Sequence, residues 1–197
     1  VTNISGVPSW MLSVLTRVIE LSGKSHLEEV WPNLEMFFHG GVAFTPYRKQ
    51  YEQLITSPNM HYMETYNASE GFFGLQNDPS DKSMLLMLDY GVFYEFIPMD
   101  EFGRENPTVV PLWGVETGKN YAMVISTSSG LWRYIIGDTV MFTSVNPYKF
   151  LITGRTKHFI NAFGEELIVD NAEQGLAYAC QQTGAQVLEY TAAPVFM

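Results

Sequence analysis

The sequence is poor in cysteine: Cys180 is the single one among 197 residues. One thiol forms neither an intrachain disulfide nor a CxxC metal site, which is typical of the reducing cytoplasm. The four histidines show no metal-ligand spacing, and no apolar run is long enough to span a membrane. These absences predict a cytoplasmic protein that neither crosses nor binds a membrane.

Positive charge is also scarce, with 11 Lys and Arg against 21 Asp and Glu and a net charge of −10. Nucleic acids and anionic membranes are bound through basic faces, so neither is expected as a partner. A local basic pocket is still compatible with this balance, because Lys149, Arg155 and Lys157 lie within nine positions. With 46% apolar residues the chain can bury a substantial core, in one or two domains.

The first part of the chain alternates helical and strand patterns. Pro8 suits the first turn of a helix and Gly23 its end, with an apolar stripe between them at Met11, Val14, Leu15, Val18 and Leu21. Residues 31–41 predict a buried strand that ends in a glycine turn. A second helix is predicted from Thr45 to Pro58, with Tyr47, Tyr51, Leu54 and Ile55 on one face. Residues 61–66 predict the next strand, with YNASEG just past its end.

From there the pattern is rich in strands. Residues 84–88 and 92–97 predict a hairpin around Asp89-Tyr90-Gly91, and 121–127 and 131–136 predict another. A turn at Asn146-Pro147 precedes a strand at 149–153. Asp170 and Glu173 resemble a capping box for a third helix that ends at Gly184, and 186–191 predict a last strand. The fold class expected is α/β of a mixed α+β type.

Residues 66–74, YNASEGFFG, carry the most informative motif. A site for ATP needs a flat face for adenine, an acceptor for the ribose hydroxyls and a hard oxygen ligand for Mg²⁺. Tyr66 is a candidate stacking face, Ser69 a candidate for the α-phosphate and Glu70 a candidate magnesium ligand. Taken alone, the motif fits a solvated strand end with one exposed acid slightly better.

Further segments offer the remaining groups. Asp138 follows Gly137 after an apolar strand, and its carboxylate is suited to accept both ribose hydroxyls; a simple turn explains it better in isolation. Arg155 and Lys157 are candidates for the ribose and the phosphate, against a solvated basic loop. Gly41 and Val42 follow a predicted strand where adenine can approach the backbone, although a plain tight turn explains them about as well.

Aromatic residues offer a pocket for an apolar acyl group. The candidates are Trp10, Phe37, Phe38, Phe72 and Phe73. Packing in the core is the better explanation for most of them. The preference for an apolar or aromatic acid is a hypothesis that rests on composition alone.

Five segments together resemble the auxin-responsive Gretchen Hagen family of acyl-acid amido synthetases, and its bacterial members more than the plant hormone-conjugating enzymes. They are SGVPSW (5–10), FFHGGVAFTPYRKQY (37–51), YNASEGFFG (66–74), YIIGD (134–138) and GRTKHFINAFGEELI (154–168). The family belongs to the firefly-luciferase-like adenylate-forming superfamily. The resemblance covers nearly the whole chain.

The resemblance implies a specific activity. The enzyme would adenylate a carboxylic acid with Mg-ATP, release pyrophosphate and pass the acyl group to an amine such as an amino acid. Ser69 and Glu70 would serve the phosphate and metal, Asp138 the ribose, and Arg155 and Lys157 the nucleotide, with Glu70 and Lys157 as the catalytic residues. Residues 1–154 would be part of the large N-terminal adenylating domain, and 155–197 the hinge and the beginning of the small C-terminal domain.

The sequence departs from the family pattern in two ways. Ile135 stands where the family motif usually has Arg; Arg133, two positions earlier, is predicted to lie on the same strand face and to compensate. The Ser/Thr/Gly-rich phosphate loop of the family lies upstream of Val1, and the chain stops at Met197 within an apolar run. We therefore expect a central piece of a longer enzyme, inactive alone.

Two alternatives remain. The first is an acyl-CoA-type ligase of the same superfamily, whose acceptor is a thiol. The second is a non-catalytic ligand-binding module. The sequence does not specify the acyl acid, the acceptor or the oligomeric state.

Overall fold

The computed structural model of the chain describes residues 1–156, 159–162, 165–185, 187 and 190. Three α-helices are present in this part: α1 (Pro8–Ser22), α2 (Arg48–Leu54) and α3 (Val169–Thr183), with 3-10 turns at Leu27–Glu29 and Leu112–Gly114. The strands are β1 (Asn3–Gly6), β2 (Met36–His39), β3 (His61–Ala68), β4 (Gly71–Gln76), β5 (Met84–Leu86), β6 (Val92–Pro98), β7 (Val110–Pro111), β8 (Asn120–Thr127), β9 (Tyr134–Val145), β10 (Tyr148–Arg155), β11 (Phe159–Ala162) and β12 (Glu165–Ile168).

Ten strands form one sheet in the order β1-β2-β3-β4-β5-β10-β9-β8-β6-β7, and β11 pairs with β12 separately. Strands β1, β2 and β3 are parallel, whereas the pairings from β3–β4 onward are antiparallel. Parallel neighbours need a long connection, and α1 and α2 lie in the connections between these three strands. The mixed α+β architecture expected from the sequence is confirmed.

Helix α1 begins at Pro8 as predicted and ends before Gly23, whose φ of 64° is the left-handed value that glycine adopts without a steric penalty. Its buried face is rotated from the predicted stripe. Leu12 and Leu15 are buried, whereas Val14 and Leu21 are 53% and 71% exposed. Positions 8, 12 and 15 are four and three residues apart, so they lie on one face of the helix, and this face is the buried one.

The core beside the helices is made from α1, α2 and the parallel strands. Helix α2 begins at Arg48 and ends at Leu54, a shorter span than predicted from Thr45 to Pro58. Its predicted apolar face is buried at Tyr47, Tyr51 and Ile55. The buried set comprises Leu12, Leu15, Leu27, Leu34, Phe37, Phe44, Tyr47, Tyr51 and Ile55.

Two local predictions in the strand-rich part were wrong. YNASEG does not lie past a strand end: β3 continues to Ala68, Ser69 and Glu70 form a two-residue turn, and β4 returns beside it. The predicted hairpin around Asp89-Tyr90-Gly91 does not form either. Strand β5 pairs with β4 and β10, and β6 pairs with β8 and β7. A turn signal fixes where the chain reverses, but not which strands become neighbours.

The predicted hairpin at 121–136 is confirmed as β8 and β9, although β9 continues to Val145. The turn at Asn146-Pro147, a cis peptide, leads into β10. Helix α3 ends at Thr183, and the N–H of Gly184 bonds the carbonyl of Cys180. The side chains of the predicted capping box lie outside the described residues, as does most of the predicted strand at 186–191. None of the helices described is long and apolar enough to cross a membrane.

Candidate functional site

Asp138 on β9 is the centre of a small polar cluster, whose other members are Tyr66 on β3 and Arg155 on β10. It follows Gly137, whose φ of 92° favours glycine, and the N–H of Thr156 bonds the Gly137 carbonyl at 2.8 Å. In the β9–β10 ladder Asp138 is the direct partner of Arg155. The Arg155 Nε lies 3.0 Å from Asp138 Oδ1. The register of the two strands therefore brings together two residues that the sequence singled out separately.

The second oxygen of Asp138 is bound from another strand. The Tyr66 hydroxyl donates a hydrogen bond of 2.5 Å to Asp138 Oδ2. Tyr66 lies on β3 and Asp138 on β9, four strand intervals apart in the sheet order, which is roughly 19 Å in a flat sheet. The contact thus requires the sheet to curl on itself.

Inside this curl lies a second core, lined by strands β3–β10. Its buried members are Tyr66, Phe73, Met84, Leu86, Tyr94, Phe96, Val115, Tyr121, Met123, Ile125, Ile136, Val140, Phe142 and Phe150. The Tyr66 ring is 5.1 Å from that of Phe73 and 6.1 Å from that of Phe150, in edge-on geometry. Burial, followed by the charge of Asp138, raises the pKa of the Tyr66 hydroxyl well above its usual value. The hydroxyl therefore keeps its proton and is the hydrogen-bond donor to Asp138.

This burial changes the role expected for Tyr66. Its side chain is 6% exposed and its ring packs in the core, so the ring does not offer the stacking face predicted for adenine. What reaches the polar cluster is the hydroxyl. A role of Tyr66 in binding ATP stays a prediction, resting now on that oxygen.

Ser69 and Glu70 lie in the turn between β3 and β4, with Ser69 exposed and Glu70 half-buried. The turn that carries Glu70 directly follows β3, the strand of Tyr66. In the described part of the chain, His, Cys, Asp and Glu side chains form no group of three or more suited to hold a metal. The role of Glu70 as a magnesium ligand stays a prediction.

The glycine turn after β2 lies against β3. A Cβ added to Gly40 would come within 2.3 Å of the Thr65 carbonyl oxygen, so only glycine allows this approach. Gly41 follows with a φ of 84°, and Val42 is 40% exposed. The predicted adenine contacts are therefore next to the strand that carries Tyr66.

The remaining basic and aromatic candidates are less closely grouped. Lys157 lies outside the described residues. Arg133 does not share a strand face with Ile135, because it precedes β9 with a φ of 45° and its Nε bonds Glu95 at 3.0 Å. The predicted shared strand face was therefore wrong, since a residue outside the strand does not follow its alternation.

The acyl-pocket candidates lie on three different elements. Trp10 on α1 is 68% exposed, whereas Phe38 on β2 and Phe72 on β4 are half-buried. Phe37 and Phe73 are fully buried and belong to the two cores. The acyl roles of Trp10, Phe38 and Phe72 stay predictions. A cleft of about 380 Å³ lies over the paired ends of β6 and β8 and the loop that follows β8, and it is lined in part by Phe93 and Trp132, which the sequence did not single out.

Two sequence models of one family match this chain. The "GH3 family N-terminal domain" matches residues 1–60, and the "GH3 family central domain" matches residues 85–155, together more than half of the chain. The chain belongs to the GH3 family. This is the family that the motifs resemble.

Among curated GH3 relatives, the chain is 28% identical over 181 residues to the indole-3-acetic acid-amido synthetase GH3.3 of Arabidopsis thaliana, covering 84% of this chain and 29% of the relative. Its fold is similar to that of the GH3.15 acyl acid amido synthetase, with a TM-score of 0.67 and 21% identity over 88% of this chain and 32% of the other. The chain therefore spans about a third of these relatives.

The fold extends beyond the GH3 family. A 2-hydroxyisobutyryl-CoA ligase structure, solved in its postadenylation state with 2-HIB-AMP, gives a TM-score of 0.65 at 16% identity, covering 93% of this chain and 38% of the other. The likeness shows that this chain has the fold of part of an adenylate-forming ligase.

Proposed function

We propose that this GH3 protein is an ATP-dependent acyl-acid amido synthetase. The observation that carries the proposal is the Asp138 carboxylate, which Tyr66 and Arg155 hold at the point where three strands of the curled sheet meet. The names of the curated relatives support acid–amino acid ligation. The fold of adenylate-forming ligases supports an acyl-adenylate route.

The chemistry has two steps. A carboxylate oxygen of the acid attacks the α-phosphorus of ATP, and pyrophosphate leaves. The amine nitrogen of the acceptor then attacks the acyl carbon, AMP leaves, and the amine loses a proton. No protein nucleophile is needed, so the chain acts by positioning the reactants and by stabilising charge on the phosphate.

The residues of the cluster divide this work. Asp138 accepts the ribose hydroxyls, and Arg155 supplies a planar donor beside it. Ser69 in the β3–β4 turn serves the α-phosphate, and the backbone of Gly41 and Val42 supports adenine.

Charge on the phosphate is handled by two further groups. Glu70 would hold Mg²⁺, and the ion would supply positive charge that stabilises the phosphate. Lys157 would add a positive charge to the phosphate. These two remain the catalytic candidates.

The domain division is part of the proposal. Residues 1–154 form part of the large adenylating domain, and residues 155–197 the hinge and the beginning of the small domain. In support, β10 is the last strand along the chain that joins the ten-stranded sheet, and it ends at Arg155. Strands β11 and β12 pair only with each other among the described strands.

A second candidate function has its own support. The fold similarity to a CoA ligase is nearly as high as that to a GH3 synthetase. An acyl-CoA-type ligase shares the first step and differs in its thiol acceptor. A non-catalytic binding module would keep the Asp138 cluster but carry out neither step.

Carboxylate-dependent ATP–pyrophosphate exchange by the full-length protein tests the proposal. We expect exchange that requires an added acid, and Asp138→Ala to raise the KM for ATP by about 10- to 100-fold, since a hydrogen bond to a charged group contributes about 1.5–3 kcal/mol. Asp100→Ala, on an exposed turn, is the matched control. Product analysis with amino acids or coenzyme A then separates the two ligases. No exchange across a broad panel of acids would favour the binding module.

A further inference from the structure

The two partners of Asp138 differ in how firmly they are held. Tyr66 is 6% exposed, and its ring is enclosed by Phe73 and Phe150. Arg155 has a side chain that is 53% exposed, whereas that of Asp138 is 16% exposed. An ion pair with so exposed a guanidinium contributes little to stability, because the solvent screens it. The Tyr66 hydroxyl is therefore the fixed partner of Asp138, and the Arg155 guanidinium is the exchangeable one.

We propose that Tyr66 is a positioning residue, whose hydroxyl orients the Asp138 carboxylate for the ribose hydroxyls, while Arg155 adjusts to admit them. The inference rests on the proposed function, because it assigns Asp138 to the ribose. It differs from a stacking role for Tyr66, since the group that acts is the hydroxyl and the ring serves only to fix it.

The hydrogen-bonding capacity of the carboxylate supports this arrangement. An ionised carboxylate accepts about four hydrogen bonds, two at each oxygen. Tyr66 uses one site on Oδ2, and Arg155 uses one on Oδ1. Counting the described residues, one site on each oxygen is left, which matches the two adjacent hydroxyls of a ribose. The raised pKa of Tyr66 keeps its proton in place for this purpose.

Position in the sheet explains why a tyrosine has this role. Asp138 is on β9 and its neighbour Arg155 on β10, so the ladder can orient the carboxylate only from one side. Tyr66 reaches it from β3, across the core inside the curl. Without the hydroxyl, a largely buried carboxylate would keep only a flexible, exposed partner.

Tyr66→Phe tests the inference, because it keeps the ring and removes only the oxygen. Tyr94→Phe is the matched control: Tyr94 is buried in the same core, and its hydroxyl bonds the Met87 carbonyl at 2.9 Å, away from Asp138. Equilibrium binding of ATP and of 2′-deoxy-ATP and 3′-deoxy-ATP is measured for both variants, for Asp138→Ala and for the Tyr66→Phe/Asp138→Ala double variant.

We expect Tyr66→Phe to raise the Kd for ATP by about tenfold, the size of one hydrogen bond to a charged group. It should also reduce the preference for ATP over the deoxy analogues. In the double variant Tyr66→Phe should add nothing to Asp138→Ala, because it acts through that carboxylate. Tyr94→Phe should bind all three nucleotides as the wild type does.

Three results would overturn the inference: ATP binding by Tyr66→Phe at wild-type affinity, additive effects in the double variant, or an equal loss in Tyr94→Phe. This experiment measures nucleotide binding, whereas ATP–pyrophosphate exchange tests the proposed function, so the two can fail independently. A wild type that binds ATP with this Tyr66-dependent ribose preference but shows no exchange supports the inference and removes the synthetase. A wild type that binds no ATP overturns both.

Discussion

The parallel and antiparallel regions of the sheet bury their aromatic residues in different ways. Beside β1–β3 the helices cover the strands, and several rings lie nearly flat on one another, as in Phe37–Tyr51 at 4.9 Å and His39–Phe44 at 4.3 Å. Edge-on pairs such as Phe37–Phe44 occur there as well. In the curl of β3–β10 the described rings meet edge-on or tilted, as in Phe96–Phe142 at 82° and Phe142–Phe150 at 53°. A helix-covered sheet forms a flat layer, whereas a curled sheet directs side chains toward a common centre.

The regions also differ in their buried polar groups. In the helix-covered region His39 Nδ1 and the Tyr62 hydroxyl are buried without a hydrogen-bond partner among the described residues. In the curled region the tyrosine hydroxyls are bonded: Tyr66 to Asp138, Tyr94 to Met87. An unpaired buried polar group costs stability, whereas a paired one fixes geometry. The Tyr51 hydroxyl beside the helices is also bonded, to the Pro8 carbonyl. The comparison therefore teaches that the unpaired groups set the helix-covered region apart from the curl, where the candidate site lies.

The largest expected effect comes from removing one ring from each core. Phe37→Ala and Phe150→Ala should each lower the free energy of unfolding by about 3–5 kcal/mol, because both rings are fully buried. ATP affinity should fall mainly in Phe150→Ala, since this ring contacts Tyr66. Urea unfolding and ATP binding under folding conditions measure the two effects. Equal losses of affinity would show that the two regions are not distinct with respect to the site.

A pH-dependent effect should separate the regions next. Burial, and then the charge of Arg48, lowers the pKa of His39 from 6.5 to about 4. Between pH 6.5 and 4 the unfolded chain therefore binds a proton that the folded chain does not, and stability falls as pH falls. His39→Phe should remove up to about 3 kcal/mol of this loss.

The measurement is the free energy of unfolding at pH 8 and at pH 4.5, in the wild type and in His39→Phe. Only the difference between the two proteins matters, since other groups titrate in both. The same pH dependence in both would show that burial does not shift His39.

Gly40→Ala should lower the free energy of unfolding by an intermediate amount. Its Cβ would lie 2.3 Å from the Thr65 carbonyl oxygen, so the strands must separate, at about 1–3 kcal/mol by analogy with overpacked cores. Gly175→Ala on α3, where a Cβ meets nothing within 4 Å, is the control and should be neutral or stabilising. Thermal unfolding of both variants tests this. A neutral Gly40→Ala would mean that the β2 turn adapts freely.

The smallest expected change in stability comes from removing a single buried tyrosine hydroxyl, either one that is hydrogen-bonded or one that is not. Tyr51 bonds the Pro8 carbonyl at 2.8 Å, so Tyr51→Phe should lose about 0.5–1.5 kcal/mol. Tyr62→Phe removes an unpaired hydroxyl and should be neutral or slightly stabilising. Urea unfolding midpoints compare the pair. A loss in Tyr62→Phe as large as that in Tyr51→Phe would show that its hydroxyl is satisfied in solution.

Local signals in the sequence predicted local structure well. Pro8 and Gly23 bounded α1, and the β8–β9 hairpin turned where predicted. The pairing of β5 with β10 could not be read in this way, because it joins segments some sixty residues apart. For the same reason the sequence could single out Tyr66 and Asp138, but not that they share a hydrogen bond. That contact depends on the curl of five strands, which no single motif specifies.

One consequence follows from the two ladders that meet on β3. Its first half, His61–Glu64, pairs with β2, and its second half, Thr65–Ala68, pairs with β4. Strand β3 is thus hydrogen-bonded to different strands at its two ends. A bulge lies between Tyr66 and Asn67, and a bulge bends a strand and increases its twist. Strand β3 is therefore the piece of backbone that the helix-covered layer shares with the residue that bonds Asp138.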